Sequence, residues 1–215
     1  FLTYATMNPA WGYMGVTGFV VERGAEGLTT GQPFGKIGLS TSPTSSVYFS
    51  QCRVPERNRL GEEGQGGGIF SRSMLWERAC LFAMYVGLMD RQISEVVTYA
   101  KERKQFGKSI GKNQAISHRI ADMKLRLESA RLLLYRACWS MDRGDKSALL
   151  DVCLSKVAIS EAAIQSGLDG IQIHGGLGVA TEFPVERRLR DALASTIFSG
   201  TSEIQRDLIA RELGL

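Results

Sequence analysis

Histidine and proline are scarce in this 215-residue chain, with two and five residues respectively. His118 and His174 stand alone, and no His, Cys or carboxylate cluster has metal-ligand spacing, so a metal site is not expected. Each histidine fits a structural role better than that of a ligand or base. The four cysteines, Cys52, Cys80, Cys138 and Cys153, are far apart and form no CxxC. That pattern favours reduced thiols over a disulfide framework and a cytoplasmic or mitochondrial-matrix protein over a secreted one. No signal peptide is visible. The longest apolar run, Ala79 to Met89, is too short to cross a bilayer. One-sided charge is absent too: the net charge of +4 comes from Lys and Arg spread along the chain. It suits anionic small molecules and does not point to nucleic acid.

What is present is 44% hydrophobic residues and 22% charged ones, enough apolar material for one large domain or two small ones. Residues 1 to about 60 are rich in Gly, Pro, Ser and Thr. Val16–Val21 and Ser46–Phe49 read as strands, and Gly31-Gln32-Pro33 and Thr41-Ser42-Pro43 as turns. Phe1-Leu2-Thr3-Tyr4 reads as a strand already in progress, which suggests a truncated or split chain. Gly64-Gln65-Gly66-Gly67-Gly68 breaks this β pattern, and beyond it only Pro184 remains of the prolines.

The rest reads as helix. A first helix is expected from about Gly68 to Arg103. A second, from about Asn113 to Arg143, places Ile116, Ile120, Met123, Leu127, Ala130, Leu134 and Ala137 in alternating steps of four and three, a heptad seam. Gly144-Asp145 should end it. A third, from about Ser147 to His174, carries Leu150, Leu154, Val157, Ile164, Leu168 and Ile171 on one side, interrupted by Glu161. A short helix follows Pro184. A last one starts near Ser202, where Ser202 and Gln205 are spaced for a capping box. Long helices joined by short loops make a bundle. The fold class is α+β: a partial antiparallel β domain over 1–62, then a four-helix-bundle domain over 63–215.

Three stretches invite chemistry, and each has a plainer reading. Gly175-Gly176-Leu177-Gly178 follows a helix rather than a strand and lacks the GxGxxG spacing, so it reads as a helix terminator. Glu102–Lys108 places cations at a helix end, where they complement the helix dipole; the alternative is an anion clamp in which Arg103 grips a phosphate. Glu77-Arg78 lies in the mostly apolar stretch Ser73–Leu81. Such a carboxylate is a solvated charge, half of an ion pair, or a base. Met74, Cys80, Leu81 and Met84 fall on its side of the helix, a face expected to be apolar and poor in water. That setting disfavours a charged carboxylate and suits a general base.

Four longer segments together resemble the acyl-CoA dehydrogenase family. They are Glu102–Lys108 followed by Gln114-Ala115-Ile116; Gly170–Gly178; Pro184–Arg187 continuing through Leu189–Ala192; and Gly200–Arg206. Val47-Tyr48-Phe49 through Pro55 looks like the end of the family's middle β domain. The resemblance implies an N-terminal helical domain, which this chain lacks, before that β domain and the C-terminal bundle. It also implies FAD as cofactor, and a reaction in which an acyl thioester loses its α-proton to a base and its β-hydride to the flavin, giving the 2,3-enoyl thioester.

In most of the family the base is a Glu directly before the Gly-Thr of the last-helix motif, where this chain has Ser199. A branch resembling isovaleryl-CoA dehydrogenase instead carries its Glu on the first bundle helix, next to an Arg, and keeps a small residue at the other site. Glu77-Arg78 and Ser199 match that exchange. By resemblance, Glu77 is the catalytic base, while Arg78, Ser199 and Gly200 bind substrate. Arg103, Phe106, Gln114, Thr201 and Glu203 contact FAD, and Gln172 and Gly176 reach the cofactor of a neighbouring subunit. Trp76 and Phe82 would crowd the site. The implied partners are an acyl-CoA or acyl-carrier-protein thioester, an electron-transfer flavoprotein, and either further copies in a dimer or tetramer or a protein supplying the missing domain. Two alternatives stay open: a non-catalytic subunit completing a partner's FAD site, and an oxidase using O2.

Overall fold

The computed structural model describes all 215 residues. The chain divides into two units, residues 1–36 with 40–76, and residues 37–39 with 77–215. The first unit carries five short strands and the start of a helix. Strands β1 (Leu2–Thr6) and β2 (Val16–Val20) pair antiparallel, and β2 also pairs with β5 (Arg59–Leu60). Strands β3 (Leu28–Thr30) and β4 (Val47–Phe49) form a separate ribbon. The expected strands are therefore present. Helix α1 (Gly66–Leu81) begins against β2, where a Cβ on Gly66 would lie 2.7 Å from the Thr17 carbonyl carbon. Only glycine allows that approach, so the glycine run does more than interrupt the β pattern.

The second unit is helical: the end of α1, then α2 (Ala83–Glu102), α3 (Gln114–Arg143), α4 (Ala148–His174), α5 (Pro184–Leu193) and α6 (Ser202–Glu212). The α3 seam behaves as its spacing requires. Met123, Leu127, Ala130, Leu134 and Ala137 are buried, and Ile116 and Ile120 pack at the edge of the core. Burying a large aliphatic side chain contributes about 1.5–3 kcal/mol, which outweighs the weak propensity of any single position. Gly144 ends α3 at φ 65°, with its N–H bonded to the Met141 carbonyl. This is the left-handed stop that a glycine supplies.

Three expectations are corrected. The first long helix is two: α1 and α2 meet at Phe82, which is fully buried and packs its ring 5.5 Å from Phe198 and 5.8 Å from Tyr85. A side chain drawn fully into the core sets the local path there, and Phe82 does not crowd the site.

The α4 face is different as well. Leu168 is exposed and Leu150, Leu154, Val157, Ile164 and Ile171 are only half-buried, while Val152, Ser155, Lys156, Ile159, Ser160, Ala163, Ser166 and Gly167 are buried. Helix α4 packs on α2, α3, α5 and α6 together. Small residues let those helices approach: a Cβ on Gly167 would touch the Leu189 backbone at 3.1 Å.

The third correction is at α6, whose N-cap is Thr201, its hydroxyl accepting from Ile204 N–H at 3.3 Å. Gln205 turns away from any capping box.

Candidate active site

Everything at the site lies within the helical unit. Glu77 and Arg78 sit on the last turn of α1, and Ser199 and Gly200 form the turn before α6. Although 122 positions apart, Glu77 and Ser199 touch: the serine hydroxyl donates to Glu77 Oε1 at 2.5 Å. Glu77 is half-buried and makes no ion pair; Arg78 Nε instead donates to the Ser199 carbonyl at 2.9 Å. The neighbouring positions Cys80 and Met84 are exposed and Met74 and Leu81 half-buried, so the expected dry apolar face around Glu77 is not formed within this chain. Here too the reason is packing: the α1–α2 junction turns Phe82 and Tyr85 inward, leaving Cys80 and Met84 outward.

The turn holding Ser199 has unusual backbone geometry. Ser199 lies at φ 58° and Gly200 at φ 87°. Gln205, fully buried on α6, donates through Nε2 to the carbonyls of Ser199 (3.3 Å) and Gly200 (3.4 Å). Below the turn lies Lys156 of α4, also fully buried, with no hydrogen-bond partner for Nζ and the Phe82 ring centroid 5.4 Å away. Burial, then the positive field of Arg78, pushes its pKa down to about 8. The hydrogen bonds that Glu203 accepts, from its own backbone N–H and then from the Thr201 side chain, hold its carboxyl below the ordinary value. Gln205 and Lys156 were missed in the sequence. A lone lysine amid the small and apolar residues of α4 was the available signal.

The other candidate residues gather elsewhere. Arg103 follows α2, and a hairpin of β6 (Lys104–Gln105) and β7 (Lys108–Ser109) carries Phe106 and Gly107 at its tip. Both tip residues have positive φ, 53° and 77°, the geometry of a two-residue hairpin turn. Phe106 is 92% exposed, Gln114 is exposed, and Arg103 is exposed without an ion pair. Gln172 and Gly176 are exposed at the end of α4. That end is tied to the end of α2, where Tyr99 stacks on His174 with centroids 4.3 Å apart. His174 Nδ1 also lies 2.8 Å from the Gly170 carbonyl oxygen, so this histidine is satisfied structurally. The 20 residues of α2 span about 30 Å. The structure thus separates the candidates into two groups: Glu77, Arg78, Ser199, Gly200, Thr201 and Glu203 at one end of the bundle, and Arg103, Phe106, Gln114, Gln172 and Gly176 toward the other.

Comparison with known proteins agrees with this architecture. The family model for the acyl-CoA dehydrogenase C-terminal domain matches residues 64–214. An L-prolyl-[peptidyl-carrier protein] dehydrogenase of Pseudomonas fluorescens is 56% identical over all 215 residues, which cover 56% of its own length. Among solved structures, PigA with FAD and proline superposes with a TM-score of 0.97 at 48% identity, over the whole chain and 56% of PigA. The prolyl acyl carrier protein oxidase AnaB gives 0.97 at 44% identity, over the whole chain and 57% of AnaB. The chain therefore spans little more than half the length of these relatives. With most of its length matched by the domain model and its bundle reproduced at this level of identity, the chain belongs to the acyl-CoA dehydrogenase family.

Proposed function

We propose that the protein carrying this chain is an FAD-dependent enzyme that oxidises an acyl thioester between Cα and Cβ, with Glu77 as the base, and that its acyl group is a prolyl unit borne on a carrier protein. The observation that carries the reading is the Glu77–Ser199 contact. At the position that supplies the base in most of the family, this chain holds a hydroxyl too weak to remove an α-proton. A carboxylate from another helix reaches the same place. Its Oε2 makes no hydrogen bond or ion pair and is available to take a proton.

The residues suit FAD. Arg103 offers an unpaired guanidinium for a phosphate, and Phe106 is an aromatic ring held out in solvent at a strained backbone position. The length of α2 between the two groups suits a second role for one chain: Glu77 serves one cofactor while Gln172 and Gly176 reach that of a neighbouring subunit. When bound, the flavin supplies the hydride acceptor. The chain's own task is to bind the thioester, align Cα with Glu77 and hold the proton taken from it.

The carrier-bound prolyl substrate is supported by the relatives, which are named for prolyl groups on carrier proteins. The test is anaerobic mixing of FAD-loaded protein with a panel of thioesters, followed by flavin absorbance. Bleaching by prolyl carrier protein, and much slower bleaching by prolyl-CoA and fatty acyl-CoA, is the expected result. Equal or faster bleaching by a fatty acyl-CoA overturns the substrate assignment. No bleaching by any thioester favours the subunit that merely completes a partner's site. Hydrogen peroxide formed on admitting air, without an electron-transfer flavoprotein, identifies an oxidase.

A further inference from the structure

Ser199 occupies a backbone position where serine is a poor choice. At φ 58° any L-residue is strained, and glycine, already used at the next position, would not be. What serine adds is its hydroxyl, and that hydroxyl is spent on Glu77 Oε1. The turn itself is held from two sides. Arg78 Nε and Gln205 Nε2 both donate to the Ser199 carbonyl, and Gln205 Nε2 also lies within reach of the Gly200 carbonyl. Gln205 is fully buried, and a Cβ on Gly200 would come within 2.7 Å of its Nε2, so turn and amide are closely fitted.

We infer that Ser199 is a positioning residue, its hydroxyl anchoring one oxygen of Glu77 so that the other is presented to the substrate, with Gln205 and Arg78 fixing the turn that carries it. The inference rests on Glu77 being the base. It goes further by giving Ser199 a task beyond leaving room. A carboxylate on a three-bond side chain samples several rotamers, and one anchored oxygen restricts them. Misplacement by about 1 Å costs on the order of a hundredfold in rate, a catalytic reason for a strained turn to be kept at the site.

The experiment compares Ser199→Gly and Ser199→Ala with the parent, in the FAD-loaded protein and in thermal melts of the apoprotein. Flavin reduction at saturating thioester should slow by about tenfold or more in both variants, with substrate affinity within about twofold. The isotope effect from α-deuterated substrate should rise. In the melts, Ser199→Gly should stabilise the protein more in a Glu77→Leu background, where only the strain remains to be relieved. The difference from its effect in the parent should be about 2 °C or more. Equal melting shifts in the two backgrounds overturn the contact. Coupled melts with an unchanged reduction rate overturn the positioning role. The melts test the contact whether or not Glu77 is the base, and Glu77→Gln tests the base separately. An unchanged rate in the serine variants overturns positioning where Glu77→Gln abolishes bleaching, and overturns the base assignment where it does not.

Discussion

Replacing Lys156 by Met should make the protein more stable and less dependent on pH. The Lys156 side chain is fully buried, its Nζ has no hydrogen-bond partner, and its aromatic neighbour is the Phe82 ring at 5.4 Å. Burial first, then Arg78, moves its pKa from 10.5 to about 8. At pH 7 an ammonium so disfavoured costs on the order of 3 kcal/mol. The Phe82 ring and transient hydration offset part of this, leaving about 1–2 kcal/mol. Methionine fills a similar volume without the charge. The sign of the pH effect follows from the lowered pKa. Between about 8 and 10.5 the unfolded lysine holds its proton while the folded one releases it. The penalty is therefore complete below 8 and fades as pH rises through this window. Burial raises the pKa of the adjacent Cys153 thiol, whose own titration opposes this trend, so the comparison is between parent and variant at each pH. Urea unfolding followed by far-ultraviolet circular dichroism should show Lys156→Met more stable by about 1–2 kcal/mol at pH 7, with the gap narrowing by pH 9.5. A variant less stable than the parent at pH 7, with an unchanged urea slope, would refute the reasoning, because it would mean that the ammonium has a compensating partner.

Two further outcomes are expected. Asp169 is buried on α4 and bonded by Arg119 Nη1 at 2.5 Å and by Arg126. Asp169→Ala should lower stability in a urea titration by about 2–3 kcal/mol, below the range for a fully buried pair because both guanidinium groups are partly exposed. Phe106→Asn should raise the apoprotein's stability by about 1 kcal/mol, because asparagine tolerates the left-handed hairpin tip. The same variant should weaken FAD binding severalfold in a fluorescence titration if the ring is kept for the cofactor.

How much of this was legible in the sequence depended on the range of the interaction. The α3 seam and the Gly144 stop follow from residues within one or two turns of each other, and both were readable. The α1–α2 junction was not, because Phe82 is drawn inward by Phe198, a residue 116 positions away. The α4 face was misread because the apolar pattern of a helix reports its burial only when one side is covered. A helix enclosed by four others buries serines and a lysine as well. Gln205 looked like a capping residue at its spacing, but its amide reaches back to the turn before α6. The approach of Glu77 to Ser199 left no mark in local pattern. It was anticipated only through family resemblance, and no spacing rule foretold that the serine would donate a hydrogen bond to the acid.

The most direct measurement of the central claim is anaerobic single-turnover flavin reduction in Glu77→Gln. The amide preserves the shape and the ability to accept from Ser199 but cannot take the α-proton. The account predicts that the variant folds, binds FAD and thioester with little change, and loses flavin bleaching by about a thousandfold or more. Bleaching at the parent rate would contradict it and assign the proton to another group.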